Sequence, residues 1–193
     1  LTIIIKGNDP SKAAKQISLT DLGSIKVSKE ETKQMAVTIP RSSILGFIVG
    51  VLPGAGATIA SFLAYGMERN FVKNEEKEKF GKGSVQGLSA PETANNAACS
   101  GSFVPLLTLG IPGSGTTAVM LGALLGFGIQ PGPRLYETNP DIFWSVIMSM
   151  YIGMVVLLIL NLPLIPYIAR ILAVPRTFLI PMILFFSVTG IYL

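Results

Sequence analysis

The chain has 193 residues, of which 50% are hydrophobic and only 13% are charged, and it contains no histidine and a single cysteine, Cys99. A soluble domain carries about 25% charged residues, so this composition argues against an ordinary soluble enzyme. Without histidine and a second cysteine, catalytic triads, Cys–His dyads, disulfide frameworks and zinc sites are excluded. We therefore predict no catalytic residue, no metal site and no resident cofactor.

The charged residues are concentrated in residues 1–43 and 66–89, and long apolar runs separate and follow these stretches. This pattern predicts an all-α, polytopic membrane protein. The net charge of +4 does not indicate nucleic-acid binding, because the basic residues lie beside acidic ones in loops that flank apolar runs.

Residues 1–43 are polar and of mixed charge, which predicts a cytoplasmic loop, with a short surface-lying helix as the alternative. Residues 44–193 are predicted to form a transmembrane permease region. The chain begins at Leu1 and ends inside an apolar run, which predicts a fragment of a larger membrane domain.

The first apolar run, Ile44–Tyr65, is interrupted by Pro53, Gly54 and Gly56. Proline and glycine break helices, so this run is predicted to divide into two halves of about nine residues, each reaching only the bilayer midplane. Two topologies are open, a re-entrant hairpin and a single broken crossing. Basic residues on both flanks favour the hairpin, with both ends cytoplasmic.

The next run, Ala94–Ile129, would be about 54 Å long as one helix, which exceeds a membrane core of about 30 Å. It is predicted to break at residues 112–115, Pro-Gly-Ser-Gly. Ile142–Ile168 is predicted to be an uninterrupted spanning helix, and Phe178–Leu193 the start of another span. The positive-inside rule then places residues 169–176 in the cytoplasm and residues 130–141 outside.

The two breaks resemble each other, because Leu52–Thr58 aligns with Ile111–Thr117 at an offset of 59 residues. Each break has an apolar half-helix before it and a half-helix rich in small residues after it. Paired Gly/Pro interruptions of this kind are the best pointer in a sequence to the substrate site of a transporter. The fold is therefore predicted to contain broken helices or re-entrant hairpins arranged as an internal repeat.

The half-helix after each break would direct free N–H groups and the positive end of its dipole toward the midplane. Two such ends could bind an anion without a buried arginine or lysine. Packing kinks without a binding function are the alternative. The predicted substrate-binding residues are Gly54, Ala55, Gly56, Thr58, Ser61, Gly113, Ser114, Gly115, Thr116 and Thr117.

A second group of polar residues, Glu92, Asn95 and Asn96, shares one helix face with Cys99. Such side chains entering a membrane helix can hold a coupling ion or act in gating. The alternative is a capping box formed by Ser89 and Glu92 at a helix start. Cys99 itself is predicted to be a small buried residue.

Four motifs together resemble the large membrane subunit, the TctA family, of the tripartite tricarboxylate transporters. They occur in the order and spacing of that family over about residues 40–193, at Gly50–Ala57, Ala90–Ala97, Leu107–Ser114 and Pro131–Pro133. The resemblance implies a multi-pass permease of the bacterial inner membrane. It also implies two partners, a small membrane subunit and a periplasmic solute-binding protein, and transport of di- and tricarboxylates such as citrate.

Transport in such a permease would be secondary and driven by a gradient of Na⁺ or H⁺. The substrate would lie between the two breaks, and Glu92, Asn95 and Asn96 are candidates for the coupling ion or for gating. The alternative function is a channel-like or structural membrane subunit without a substrate site of its own.

Overall fold

The computed structural model describes residues 27–169 and 176–192, and the regular structure within these ranges is helical, with no strand among them. This confirms the predicted all-α fold. Residues 27–152 belong to one compact unit and the described residues from 153 onward to another. In chain order the helices are α1 (Lys29–Val51), α2 (Gly56–Phe71), α3 (Asn74–Lys77), α4 (Val85–Gly101), α5 (Phe103–Leu109), α6 (Gly115–Gly126), α7 (Leu135–Thr138), α8 (Pro140–Ala169) and α9 (Arg176–Tyr192).

The core of the first unit is formed by α1, α2 and α4, which pack through residues spaced four apart, most of them small. Residues at this spacing lie on one face of a helix, so each helix presents a narrow stripe that allows its neighbours to approach closely. The buried residues of the stripes are Thr38, Ser42, Gly46 and Gly50 on α1, Ala60, Ala64 and Glu68 on α2, and Ala90, Ala94 and Ala98 on α4.

Helices α1 and α4 touch backbone to backbone at two glycines. A Cβ atom added to Gly46 would lie 2.4 Å from the carbonyl oxygen of Ala94, and one added to Gly50 would lie 2.3 Å from that of Ala98. These pairs have the same sequence separation, 48 residues, as the hydrogen-bonded Gln86 and Thr38. The two helices therefore run parallel in one register along their shared length.

The first break turns the chain back on itself, because Thr38 of α1 and Glu68 of α2 are hydrogen-bonded at 2.8 Å and lie at equal distances in sequence from Pro53. Helices α1 and α2 are therefore the two antiparallel arms of a hairpin. The structure therefore has a hairpin rather than a single continuous path. That the hairpin is re-entrant, and the side of the membrane on which its ends lie, stay predictions.

The arms of this hairpin are longer than predicted, since α1 has 23 residues and α2 has 16 rather than about nine each. Residues 29–43 therefore belong to a helix rather than to a loop. The reason is a capping box, in which Ser28 and Glu31 exchange hydrogen bonds at 2.7 and 3.2 Å and start the helix well before the apolar run.

The second long run breaks at residues 112–115 as predicted, between α5 and α6. Gly110 ends α5 in the left-handed conformation, with φ of 70°. Its N–H donates to the carbonyl oxygen of Leu106, which is the hydrogen bond of an αL C-cap, and the N–H of Ile111 donates to the carbonyl oxygen of Pro105. A further interruption at Ser102, between α4 and α5, was not predicted.

Two helices among the described residues are long and apolar enough to cross a membrane, α1 and the stretch Pro140–Ile165 of α8. Helix α8 confirms the predicted continuous helix over Ile142–Ile168, and α9 is helical where a further span is predicted to begin. The predictions for residues 1–26 and 170–175 lie outside the described residues.

Candidate functional site

Both breaks open onto one cavity of about 500 Å³ in the first unit. The starts of α2 and α6 form two of its sides, and the C-terminal part of α4 contributes a third. The lining residues are Gly54, Gly56, Ala57, Thr58, Ala98, Cys99, Pro112, Gly113, Ser114, Gly115, Thr116 and Ala118.

The start of α2 carries no side-chain cap, because its N-cap position is held by Ala55. The first N–H groups of an α-helix have no acceptor within the helix, so this end offers free donors together with the positive end of the helix dipole. Gly54 and Gly56 adopt the left-handed conformation, with φ of 81° and 68°. This conformation favours glycine and lets the chain turn sharply into α2.

The start of α6 is capped by its own side chains. Ser114 Oγ accepts from the N–H of Thr117 at 3.3 Å, and Thr117 Oγ1 accepts from the N–H of Ser114 at 2.8 Å. Because Thr117 is only 1% exposed, its hydroxyl is committed to this cap. The N–H groups of Gly115 and Thr116, which the capping box does not use, remain as donors beside the cavity.

The second break is held against the hairpin at Gly113. A Cβ atom there would lie 2.9 Å from Cβ of Ser102 and 3.3 Å from the carbonyl oxygen of Gly50. No side chain fits without displacing these neighbours, so the contact fixes the second break beside the C-terminal end of α1.

The repeated motifs give equivalent helix starts but different turns. Helix α2 begins at Gly56 and α6 begins at Gly115, which are aligned residues of the repeat. The first turn uses left-handed Gly54 and Gly56, whereas the second uses left-handed Gly110 and a serine cap. In both copies of the repeat, the helix after the break therefore starts at the same aligned position. The turn before that helix follows a different path in each copy.

The cavity lining is more apolar than polar, and it contains no acidic or basic side chain. Its polar groups are backbone N–H groups at two helix starts, the hydroxyls of Thr58, Ser114 and Thr116, and the thiol of Cys99. Convergent N–H groups and positive helix ends favour a negatively charged ligand. What the arrangement offers chemically is a set of hydrogen-bond donors suited to an anion.

The model of the tripartite tricarboxylate transporter TctA family matches residues 2–193. The chain belongs to the TctA family. Its members are membrane components of transporters, in agreement with the apolar helices described above.

This TctA chain is similar to two proteins of Agrobacterium vitis whose descriptions do not state an activity. It is 41% identical over 185 residues to an "uncharacterized 52.8 kDa protein in TAR-I ttuC' 3'region", covering 96% of this chain and 36% of that protein. It is 46% identical over 147 residues to an "uncharacterized protein in TAR-II ttuC' 3'region", covering 76% of this chain and 60% of that protein. The matched region thus spans between about a third and three fifths of these relatives. No solved structure matches the chain.

Seven of the ten predicted substrate-binding residues of the TctA chain line the cavity: Gly54, Gly56, Thr58, Gly113, Ser114, Gly115 and Thr116. Ala55, Ser61 and Thr117 do not. Ser61 instead joins α2 to α4, since its hydroxyl accepts from Asn95 Nδ2 at 3.2 Å. Its one proton points between the carbonyl oxygens of Ala57 at 3.0 Å and Pro91 at 3.2 Å.

The three predicted ion or gating residues lie outside the cavity lining. Asn95 donates a hydrogen bond from Nδ2 to the hydroxyl of Ser61, and Asn96 donates one to the carbonyl oxygen of Glu92 on its own helix. The side chain of Glu92 is exposed. The alternative reading of Glu92 as part of a capping box is wrong, because α4 begins at Val85 and places Ser89 inside the helix.

The prediction for Cys99 is also wrong, because its side chain is exposed and lines the cavity. The buried stripe of α4 is formed by its alanines. Cys99 comes directly after the last of them, Ala98, and therefore lies on the exposed side of the helix.

Sequence reasoning missed Glu68, which it placed in the charged loop 66–89. The structure buries this side chain completely between α1, α2 and α4. The four-residue spacing of Ala60, Ala64 and Glu68 was the signal that could have revealed it.

Proposed function

We propose that this region of the permease forms a binding site for di- and tricarboxylates between the starts of α2 and α6. The observation that carries the proposal is that two separate helix starts, from matched sequence motifs, line one cavity free of charged side chains. A carboxylate would accept hydrogen bonds from the N–H groups at residues 56–58 and 115–116. The hydroxyls of Thr58 and Thr116 would add donors at the same mouths.

The membership of the chain in the TctA family supports a tricarboxylate as the substrate class. In the intact permease this region would work as part of a secondary transporter of the bacterial inner membrane, driven by a Na⁺ or H⁺ gradient. A periplasmic solute-binding protein would deliver the substrate, and a small membrane subunit would complete the assembly. Since the chain matches only part of its relatives, we infer that the remaining sequence supplies other walls of the site.

The expected depth of the first break in the membrane supports a substrate site there. Arg41 and Glu68 are hydrogen-bonded near the open end of the hairpin, and twelve residues separate Arg41 from Pro53, a rise of about 18 Å. If the charged pair lies near the membrane surface, the break lies close to the midplane of a core about 30 Å thick. Unwound backbone at that depth requires a protein or water-filled environment, such as the cavity.

The test is uptake of radiolabelled citrate and succinate by the intact permease with its binding protein, comparing wild type with Gly115→Leu. Gly115 lines the cavity, its φ is unstrained, and a Cβ atom there meets nothing within 4 Å. A leucine should therefore fill the cavity without disturbing the fold. We expect uptake to fall by at least about tenfold, which corresponds to a loss of about 1.4 kcal/mol in substrate-binding free energy.

Gly122→Leu is the matched control, because Gly122 lies on the same helix, outside the cavity lining, and also has open space around it. It should transport like wild type. Normal uptake by Gly115→Leu, with both variants inserted in the membrane, would contradict the proposal. The breaks would then be packing kinks of a channel-like or structural region.

A further inference from the structure

One chain of polar contacts connects two walls of the cavity just behind its lining. Asn95 Nδ2 of α4 donates to Ser61 Oγ of α2 at 3.2 Å, and this hydroxyl lies 3.0 Å from the carbonyl oxygen of Ala57. The other end of the amide, Asn95 Oδ1, lies 4.0 Å from Sγ of Cys99. Ala57 and Cys99 both line the cavity. The side chain of Asn95 therefore lies between the wall that α2 supplies and the wall that α4 supplies.

Side chains tie α2 to other helices at two points among the residues that the structure describes. At the open end of the hairpin, Glu68 accepts from side chains of α1 and α4. Nearer the cavity, the tie is the contact of Ser61 with α4. Twelve residues, a rise of about 18 Å, separate Glu68 from the start of α2 at Gly56. The bond between Asn95 and Ser61 is therefore the tie that acts on the first turns of α2.

The two breaks differ in how firmly they are held. The second break ends in a capping box, and a Cβ atom at Gly113 would lie 2.9 Å from Cβ of Ser102. At the first break, Ala55 supplies no side-chain cap, and a Cβ atom at Gly54 or Gly56 would meet nothing within 4 Å. Packing and capping thus fix the start of α6, whereas the start of α2 depends on the side-chain tie behind it.

We propose that Asn95 is a positioning residue of the anion site, acting through Ser61 on the first turn of α2. Its amide keeps the free N–H groups at residues 56–58 beside the start of α6, so that one anion can accept from both. Asn95 does not line the cavity and does not touch the substrate. This inference rests on the proposed function and gives Asn95 a role other than the predicted one in ion binding or gating.

Loss of the tie should weaken binding without slowing the step that follows. An untied α2 start would occupy the binding position for only part of the time, and the apparent affinity would fall by that fraction. Hydrogen bonds between membrane helices are modest, so we expect the affinity to fall by about three- to tenfold. Because saturating substrate selects the binding position again, the maximal rate should be kept.

The experiment measures citrate counterflow by the intact permease in proteoliposomes and separates KM from the maximal rate. Asn95→Ala should raise KM by about three- to tenfold and leave the maximal rate within about twofold of wild type. Asn96→Ala is the matched control, because Asn96 is the next residue of α4 and donates only to the carbonyl oxygen of Glu92 on its own helix. It should leave both quantities unchanged.

Ser61→Ala removes the same tie from the other side and should raise KM to the same extent. Because the two residues act as one unit, the double variant should raise KM no further than either single variant. An unchanged KM in Asn95→Ala, or single effects that multiply in the double variant, would overturn the assignment.

If Asn95→Ala fails to insert in the membrane, Ser61→Ala decides alone, with Ser100→Ala as its control. The hydroxyl of Ser100 bonds only a carbonyl oxygen of its own helix. Equal KM values in these two variants would overturn the assignment as well. Failure of the proposed function itself would appear differently, as the absence of citrate counterflow in the wild-type permease.

Discussion

Ser114 shows how a single hydroxyl determines where a helix begins. It accepts from the N–H of Thr117 and is bonded in return, so α6 starts at Gly115 directly beside the cavity. Because Ser114 lies in the break and Thr117 in the first turn of α6, where N–H groups have no acceptor within the helix, the two residues satisfy each other.

Ser114→Ala should therefore destabilise the permease by about 1 kcal/mol, the usual cost of losing an N-cap. Thermal unfolding of the detergent-solubilised permease would measure this loss. Thr108→Ala serves as the control, because its exposed hydroxyl only adds a bond to a carbonyl of its own helix. Equal stability of the two variants would show that the cap does not set the start of α6.

The sequence was least informative about the environments of individual side chains. The break residues could be recognised because proline and glycine have strong local effects on helices. The environments of Cys99 and Glu68 depend on which neighbour covers each face, and that is a tertiary property. A charged residue among other charged residues predicts a loop, whereas Glu68 is paired inside the helix bundle.

Among the helices, the closest packing is between α1 and α4. It relies on the absence of side chains at Gly46 and Gly50, where an added Cβ atom would overlap backbone atoms of the facing helix. Backbone atoms cannot rotate away as a flexible side chain can. The contact is therefore intolerant of enlargement.

Gly46→Ala should destabilise the permease by about 1–3 kcal/mol, as overpacking typically does, or prevent its accumulation in the membrane. Gly66→Ala is the control, since Gly66 lies in α2 with open space around its Cα atom. It should be neutral or stabilising, because alanine favours a helix over glycine. Expression level and thermal stability would compare the two. Normal folding of Gly46→Ala would contradict the packing described here.

The order and type of the helices were largely predictable, and their lengths were not. Apolar runs and their interruptions revealed both breaks and the continuous α8. The early start of α1 was missed because its first turns are polar and are stabilised by a local capping box rather than by an apolar face. The break at Ser102 was missed because it carries no proline and follows a glycine that also fits a helix interior.

Across the whole molecule, the hairpin fixes one feature of topology. Its arms are antiparallel and bonded to each other near their open end, so the segments before α1 and after α2 leave on the same side. The basic residues in both segments predict that this side is the cytoplasm.

Single cysteines introduced at Ser28 and at Asn74 should both react with an impermeant thiol reagent only from the cytoplasmic side. The measurement uses oriented membrane vesicles, with the native Cys99 replaced by alanine to remove background labelling. Labelling of the two positions from opposite sides would mean that the segment crosses the membrane once. The hairpin would then be wrong.

The convergence of the two breaks on one cavity was anticipated from their similarity, and the geometry agrees with an anion site. The sequence could not reveal that one predicted site residue, Ser61, lies outside the cavity and links α2 to α4 instead. The chain spans 36% and 60% of the two relatives that it matches.

The most direct test of the carboxylate site uses Cys99, the one cysteine of the chain, which lines the cavity and is exposed. The rate of alkylation of Cys99 by a small maleimide would be measured in the intact permease, freed of any other cysteines, with and without citrate. We expect citrate to slow alkylation in a saturable way and an uncharged sugar of similar size to leave the rate unchanged. An alkylation rate that is unchanged at saturating citrate would contradict the claim that the substrate binds between the two breaks.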